Sequence, residues 1–240
     1  MARQARQKIN RKEPAMATAT KQQSNGTTKA AKAAPAGTVI VEIDKIHAET
    51  LRIPIVGTAP LIIHRFSEKA KRQMLDAMQG KKTPKTPKDP EAEYEAAFYR
   101  FHDGGYGFPV IGFKAAAVEA SRFYDKSVTK VSLRQFLFVS GEIGVDGVPL
   151  ARIEGEPRMR EDVVRVGQGG TDLRYRPEFP TWSTTLDLTF VSSCITRNSV
   201  LSLLDAAGMG VGVGEWRPER QGAMGTFKID PDRDIEVVTP

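Results

Sequence analysis

Six glycines stand among the twenty residues 208–227, at Gly208, Gly210, Gly212, Gly214, Gly222 and Gly225. Glycine weakens helices and strands, so no regular element can run unbroken through this stretch. Such density serves positive φ, close backbone approach or flexibility. A helical pattern precedes the stretch, and the short alternating strand Thr226-Phe227-Lys228-Ile229 follows it. The chain must therefore turn between a helix and a closing strand here, carrying Trp216, Arg217 and Arg220 in the turn. Residue pattern alone leaves a turn-rich connector and a binding loop equally open.

The net charge of +6 divides unevenly along the 240 residues. Residues 1–36 hold eight basic residues and one acid, 8 − 1 = +7, which leaves 6 − 7 = −1 for the remainder. This tail has almost no large apolar side chains, cannot offset its ordering entropy and is expected to be disordered. Its charge suits polyanions or simple solubility. No apolar run approaches the ~18 residues of a membrane span, and no signal-peptide pattern opens the chain. One cysteine, Cys194, excludes an intramolecular disulfide; after an apolar strand it reads as a buried, inert thiol. A cytoplasmic protein without membrane contact follows.

The folded part is expected over residues 37–240 as one domain. Val39, Val41 and Ile43 alternate, as do Leu51, Ile53 and Ile55, giving two strand segments. Pro54 argues against a fully paired central position. Ser67 caps a helix through Gln79 that ends at Gly80, with Met74, Leu75 and Met78 as its apolar stripe. Residues 80–90 include a Lys- and Pro-rich run that cannot be helical and reads as a flexible basic insertion. Asp89-Pro90 starts a second helix through Tyr94, Phe98 and Phe101, ended by His102-Asp103-Gly104-Gly105. An alanine-rich helix spans 113–124. Strands follow at 136–139 and around Val148, Leu150 and Ile153, with Asp146-Gly147 as a hairpin turn. A looser alternation covers 159–166, Leu186, Leu188 and Phe190 mark the clearest late strand, and Thr196 caps a helix over 198–207. Strands and helices mix without a regular βαβ repeat, so the fold class is α+β.

Catalytic and metal signals are sparse. His47, His64 and His102 have no metal-ligand spacing, and no phosphate-binding loop motif is present. His64, beside Arg65, is the one histidine in a basic setting and the candidate general acid or base of an enzymatic alternative. No cofactor is called for. Binding signals are richer. Arg65, Lys69 and Arg72 cluster at the first helix. Arg160, Arg165, Arg174 and Arg176, with Tyr175, mark a Gly-flanked excursion of hairpin type, where arginines can grip phosphates and aromatics can stack on bases; a salt-bridged hairpin is the competing reading, since Glu161, Asp162 and Asp172 lie close by. Lys114 and Arg122, eight residues apart, share one helix face.

These pieces resemble the RAMP superfamily, and within it the repeated, RNA-coating backbone subunits of CRISPR effector complexes. Phe108-Pro109-Val110-Ile111-Gly112-Phe113-Lys114-Ala115-Ala116 looks like that family's strand-end turn opening a helix, matching at Pro109, Phe113 and Lys114 but lacking its small Gly-Ser pair. Leu186 to Phe190 and then Thr196 to Ala207 are similar to the strand and helix before the family's C-terminal glycine-rich loop. Gly210-Val211-Gly212 through Gly222-Ala223-Met224-Gly225-Thr226-Phe227 looks like that loop, widened by one residue. The likeness spans roughly residues 48–230. It implies a modified ferredoxin-like or RRM-like antiparallel sheet with helices and an inserted, thumb-like β-hairpin at 158–176. It also implies assembly into a helical filament or other homo-oligomer on RNA, contacting mainly phosphates, with Lys114 and Arg122 along the RNA groove. Glu215-Trp216-Arg217-Pro218 and the basic tail would suit a stand-alone, phage-borne relative. The expected function is a non-enzymatic protein coating single-stranded RNA or DNA through Arg65, Lys69, Arg72, Lys114, Arg122, Arg160, Arg165, Arg174, Arg176, Gly212, Gly214, Trp216, Arg217 and Arg220. A RAMP-type endoribonuclease using His64, and a phage structural or interaction protein that does not bind nucleic acid, are the alternatives.

Overall fold

Alternation at Leu51, Ile53 and Ile55, all buried, with Arg52 exposed between them, builds the strand β1, Ala48–Gly57. The computed structural model describes residues 43–81, 87–124, 128–166 and 170–238. The expected disordered tail 1–36, most of the strand expected at 39–43 and the centre of the basic insertion lie outside them. β2 (Leu61–Ile62) follows β1, then α1 (Glu68–Met78), whose N-cap Ser67 accepts a hydrogen bond from the Ala70 N–H at 3.2 Å. α2 (Pro90–Ala96) starts at Asp89, which accepts from the Ala92 N–H at 3.1 Å. It ends earlier than the apolar spacing suggests. Phe98 and Phe101 flank the strand β3 (Tyr99–Arg100), which pairs with β4 (Tyr106–Pro109) around the His102–Gly105 turn. Phe98 stacks on Tyr106 with centroids 4.9 Å apart, and Tyr106 meets Phe179 edge-on at 5.4 Å, so aromatic packing holds Phe98 in the core.

α3 (Val110–Ala120) begins three residues earlier than expected and ends in a single 3-10 turn, Ser121–Phe123. α4 (Lys130–Phe136) is unanticipated, although Thr129 caps it by accepting from the Ser132 N–H at 3.2 Å. β5 (Leu137–Ser140), β6 (Glu142–Ile143) and β7 (Pro149–Arg152) follow, the last two turning at Asp146-Gly147. β8 (Arg158–Val166) and β9 (Gly170–Phe179) form the expected long hairpin. β10 (Ser183–Val191), α5 (Arg197–Gly210), β11 (Phe227–Ile229) and β12 (Glu236–Val238) complete the chain.

The main sheet runs β11-β1-β10-β5, every neighbouring pair antiparallel. Taken as β1-α3-β5-β10-α5-β11, this is the β-α-β-β-α-β arrangement of the ferredoxin-like fold, with insertions after β1 and between β5 and β10. The fold is α+β. Pro54 sits in the sheet's interior after all. The Asp230 N–H donates to the Pro54 carbonyl at 2.9 Å, so residue 54 faces the edge where β11 and β12 each pair with a different part of β1. Its missing N–H falls in the gap between those two short strands. α3 and α5 cover one face over Leu51, Ile53, Ile55, Leu186, Leu188 and Phe190. Ala116, Ala117 and Ala120 keep α3 slim where it meets α5. Gly208 lets α5 touch β11, for a Cβ there would lie 2.0 Å from the Phe227 carbonyl oxygen.

Two expectations about side chains fail. Cys194 is exposed, because the chain turns after β10 and Ile195 takes the buried place. The α1 stripe stays largely exposed: Met74, Leu75 and Met78 are 51%, 54% and 78% exposed, and the helix has no buried residue. Among the described residues no helix is long and apolar enough to cross a membrane.

Candidate nucleic-acid interface

α5 continues through Gly210, so the loop proper begins at Val211 and at once crosses itself. The Val213 N–H donates to Gly225 O at 2.9 Å, the Gly225 N–H to Pro60 O at 2.7 Å, the Glu215 N–H to Ile62 O at 3.0 Å and the Met224 N–H to Trp216 O at 2.9 Å. Gly225 shows why glycine is needed: φ is +64°, and a Cβ would stand 1.7 Å from the Val213 carbonyl oxygen. What approaches the glycines closely is the chain's own backbone. Many of the loop's amides are thus spent internally rather than left for a ligand. Trp216 and Gln221 hold φ of +55° and +63° without being glycine, a conformation costing ~1–2 kcal/mol for a residue with a Cβ. The crossing sustains that strain and leaves Trp216 43% exposed.

A cavity of about 620 Å³ lies between this loop and α3. α3 supplies Ile111, Gly112, Lys114 and Ala115, the loop supplies Gly212, Gly214, Glu215 and Arg217, and α4 supplies Arg134; His64 and Tyr99 also line it. Three carboxylates border the cavity, and each already carries a cation. Glu119 takes Lys130 at 2.6 Å and Arg122 at 2.8 Å, and the Lys130 hydrogen bond leads in holding its pKa below the ordinary value. Glu219 takes Arg217 at 2.8 Å, whose guanidinium also donates to Gly214 O at 2.9 Å. Glu215 lies 3.3 Å from Arg176 and 3.9 Å from His64 Nδ1. Lys114 and Arg134 differ: among the described residues neither pairs with a carboxylate. Lys114 Nζ donates to the Arg134 carbonyl at 3.0 Å and sits 4.5 Å over the Phe138 ring. Burial pushes the His64 imidazole below its usual pKa, aided by Arg174 and Arg176 and opposed by Glu215, so the ring is neutral near pH 7.

The cavity therefore gathers His64, Lys114, Gly212, Gly214 and Arg217 from the expected set, with Trp216 held beside it between two lining residues. Arg220 projects from the adjoining 3-10 turn Pro218–Arg220, its side chain 71% exposed. The other residues lie elsewhere or are engaged. Lys69 and Arg72 stand exposed on α1, and Arg65 lies 3.1 Å from Asp146. Arg122 is bonded to Glu119. On the hairpin, Arg160 bonds Asp162 at 2.9 Å and Glu178 at 3.0 Å, and Arg176, 1% exposed, bonds Asp162 at 2.5 Å. That end of the hairpin is an internally neutralised network reaching across to Glu215. Arg174 stays 3.9 Å from Asp172, and Arg165 is exposed on β8. Arg134 and Tyr99 escaped the sequence reading; the Thr129 cap was the available signal for the helix that carries Arg134. On the sheet face opposite the helices, Thr50 bonds Thr189 and Arg52 forks onto Asp187 at 2.9 and 3.0 Å.

Fold and cavity together define a ferredoxin-like domain whose glycine loop overhangs a cation-edged groove. No protein-family model matches the sequence, and comparison with curated proteins finds no match. Among solved structures the chain is similar to a chain of the "Type III-B Cmr-beta bound to cognate target RNA", with a TM-score of 0.42 and 8% identity over 80% of this chain and 61% of that one. It is also similar to Cmr6 from Pyrococcus furiosus, with a TM-score of 0.39 and 10% identity over 78% of this chain and 100% of that one. This chain spans about three fifths of the first.

Proposed function

We propose that the chain binds single-stranded nucleic acid in the groove between α3 and the glycine loop, mainly through phosphates and without cleaving it. The observation that carries this reading is the charge pattern of the groove. Its carboxylates are each matched by a cation, while Lys114 and Arg134, brought from different helices, line it without a carboxylate partner among the described residues. Phosphates are the anions such a pair can hold without competition from within the fold. In this reading Trp216, 43% exposed in the glycine loop, stacks on a base of the bound strand. The motif resemblance to RNA-coating RAMP subunits points the same way and adds self-association along the strand. In this reading the basic residues of 1–36 contribute further, non-specific attraction.

Fluorescence anisotropy with labelled single-stranded RNA and DNA at several salt concentrations tests it. Each phosphate contact contributes about 0.7 to the slope of log K against log salt for a single strand, so Lys114→Ala with Arg134→Ala should lower the slope by about 1.4. Trp216→Ala should weaken binding by about 5- to 150-fold, the worth of one stacked base, at unchanged fold. An unaltered slope in the double variant, or no salt-dependent binding by the full chain, refutes the reading. Sedimentation with and without the strand reports on self-association; assembly that ignores nucleic acid would favour an interaction protein instead.

One observation favours a second reading. His64 lines the groove in the neutral form that a general base requires. Cleavage of hairpin RNA that disappears in His64→Ala would establish an endoribonuclease, whereas strand binding with no cleavage by the wild-type chain rejects one.

A further inference from the structure

β8 is the outer strand of the three-stranded sheet β2-β9-β8, and among the described residues no strand pairs with its far edge. The backbone bonds of β9 fix which groups of β8 face outward. The Ile63 N–H donates to the Pro177 carbonyl at 3.0 Å, and the Lys88 ammonium donates to the Leu173 carbonyl. Odd-numbered residues of β9 therefore turn their backbone groups away from β8, and even-numbered ones bond it. Arg160 stands opposite Arg176 and Asp162 opposite Arg174, so even residues of β9 meet even residues of β8. This leaves the N–H and C=O groups of Met159, Glu161, Val163 and Arg165 aimed outward. The strand is nine residues long, an open template for a further strand.

Charged side chains on an edge ordinarily deter such pairing. Here one face of the hairpin is already neutralised, for Arg158 and Arg160 bond Glu178, and Asp162 bonds Arg160 and Arg176. The other face of β8 carries Glu161, Val163 and Arg165 in alternate positions. Glu161 bonds the uncharged Tyr175 hydroxyl, and among the described residues neither it nor Arg165 has an oppositely charged partner. Val163 is 67% exposed, and Leu173, opposite it on β9, is 37% exposed.

We infer that β8 pairs antiparallel with β8 of a second copy of this chain, across a two-fold axis at Val163. Glu161 of each copy then stands opposite Arg165 of the other, and Val163 meets Val163 between them. One apolar row runs from Leu173 through both valines to the second Leu173. The residues brought opposite are those whose backbone groups point outward, so each of these pairs exchanges two backbone bonds. Shifted registers lose the match. Centring on Glu161, Asp162 or Arg165 sets like charges opposite, and centring on Val164 sets Val163 against Arg165. The interface is isologous and closes at two, which distinguishes it from assembly along a strand, where growth follows strand length. It rests on the hairpin alone and needs no nucleic acid.

Sedimentation equilibrium of the full chain, nuclease-treated and followed across the micromolar range, should show monomer and dimer with no larger species. Val163→Pro removes an outward N–H and no bond to β9, so the chain should stay monomeric at an unchanged melting temperature. Two charge variants at exposed positions give a route that does not depend on proline being tolerated. Glu161→Arg alone, or Arg165→Glu alone, makes both symmetric pairs like-charged and should weaken the dimer about tenfold or more. An equimolar mixture of the two variants should dimerise as the wild type does, because each supplies the charge the other lacks. Four results overturn the inference: a chain monomeric throughout, growth beyond two without a strand, a dimer indifferent to the charge variants, or a mixture no better than its components. Salt-dependent strand binding by a chain that stays monomeric would remove the dimer and leave the strand reading intact. A charge-swappable dimer that binds no strand would do the reverse.

Discussion

Gly225→Ala separates a glycine required by the chain's own backbone from one that merely bends. At φ +64° a Cβ costs ~1–2 kcal/mol. The added Cβ would stand 1.7 Å from the Val213 carbonyl oxygen, so the two segments must part by more than an ångström. That separation puts at risk the 2.9 Å bond from Val213 N–H to Gly225 O and the 2.7 Å bond from Gly225 N–H to Pro60 O, each worth ~1 kcal/mol net. The sum is roughly 3–4 kcal/mol. For a chain of this size ~1 kcal/mol moves the melting temperature by about 2–4 °C, so the midpoint should fall by about 6–16 °C. Gly147→Ala supplies the control: φ is +73°, but nothing lies within 4 Å of its Cβ. It should lose only the dihedral cost, about 2–8 °C. Thermal melts of both variants followed by circular dichroism decide the matter. Equal shifts would refute the tight crossing. A Gly225→Ala chain that melts like Gly147→Ala yet loses strand binding would return the loop's glycines to a ligand-facing role.

Arg176→Leu leaves Asp162 with Arg160 and Glu215 with His64 nearby, so urea unfolding should show a loss of about 3 kcal/mol or more; Arg52→Ala, which breaks an exposed, solvent-screened pair, should cost far less, and the reverse order would count against the buried network. The folded-state pKa of His64 lies below its unfolded value, so the unfolded chain takes the proton first and stability falls as pH drops below about 6.5. His64→Gln should flatten the melting-temperature profile between about pH 7 and 5, and identical profiles would show that burial does not hold the ring neutral. Cys194 should react fully with a thiol reagent in native buffer without lowering the melting temperature, whereas protection until unfolding would place it inside.

Several elements were legible because their causes are local. Ser67, Asp89 and Thr196 cap helices through bonds to amides three residues on, and Leu51, Ile53 and Ile55 declare a strand by alternation. The hairpin at Asp146-Gly147 and the excursion over 158–176 followed from turn residues and alternation, and the second strand runs on to Phe179. α4 was missed although Thr129 carries the same kind of cap, since its seven residues show too short an apolar pattern. Phe98 and Phe101 continued a helical spacing, but they flank the two-residue strand β3, where Phe98 stacks on Tyr106. Pro54 lies on a central strand without being fully paired, as its missing N–H requires, and the gap that accommodates it lies between strands near the far end of the chain.

The candidate site divides along the same line. Sequence alone determined that a glycine-dense turn separates a capped helix from a closing strand, that Lys114 sits on a helix, and that Trp216 and Arg217 sit in the turn. Tertiary structure decided which charges remain unmatched. Arg176 and Glu215 meet across 39 positions of sequence and Lys114 finds the Arg134 backbone across 20. Helix caps and strand alternation are settled by neighbours a few residues away, whereas the neutralisation of a charge depends on whatever the fold brings to it. A sequence therefore names the cations, and only the packed chain shows that among the described residues Lys114 and Arg134 pair with no carboxylate beside the groove while Arg160 and Arg176 are engaged.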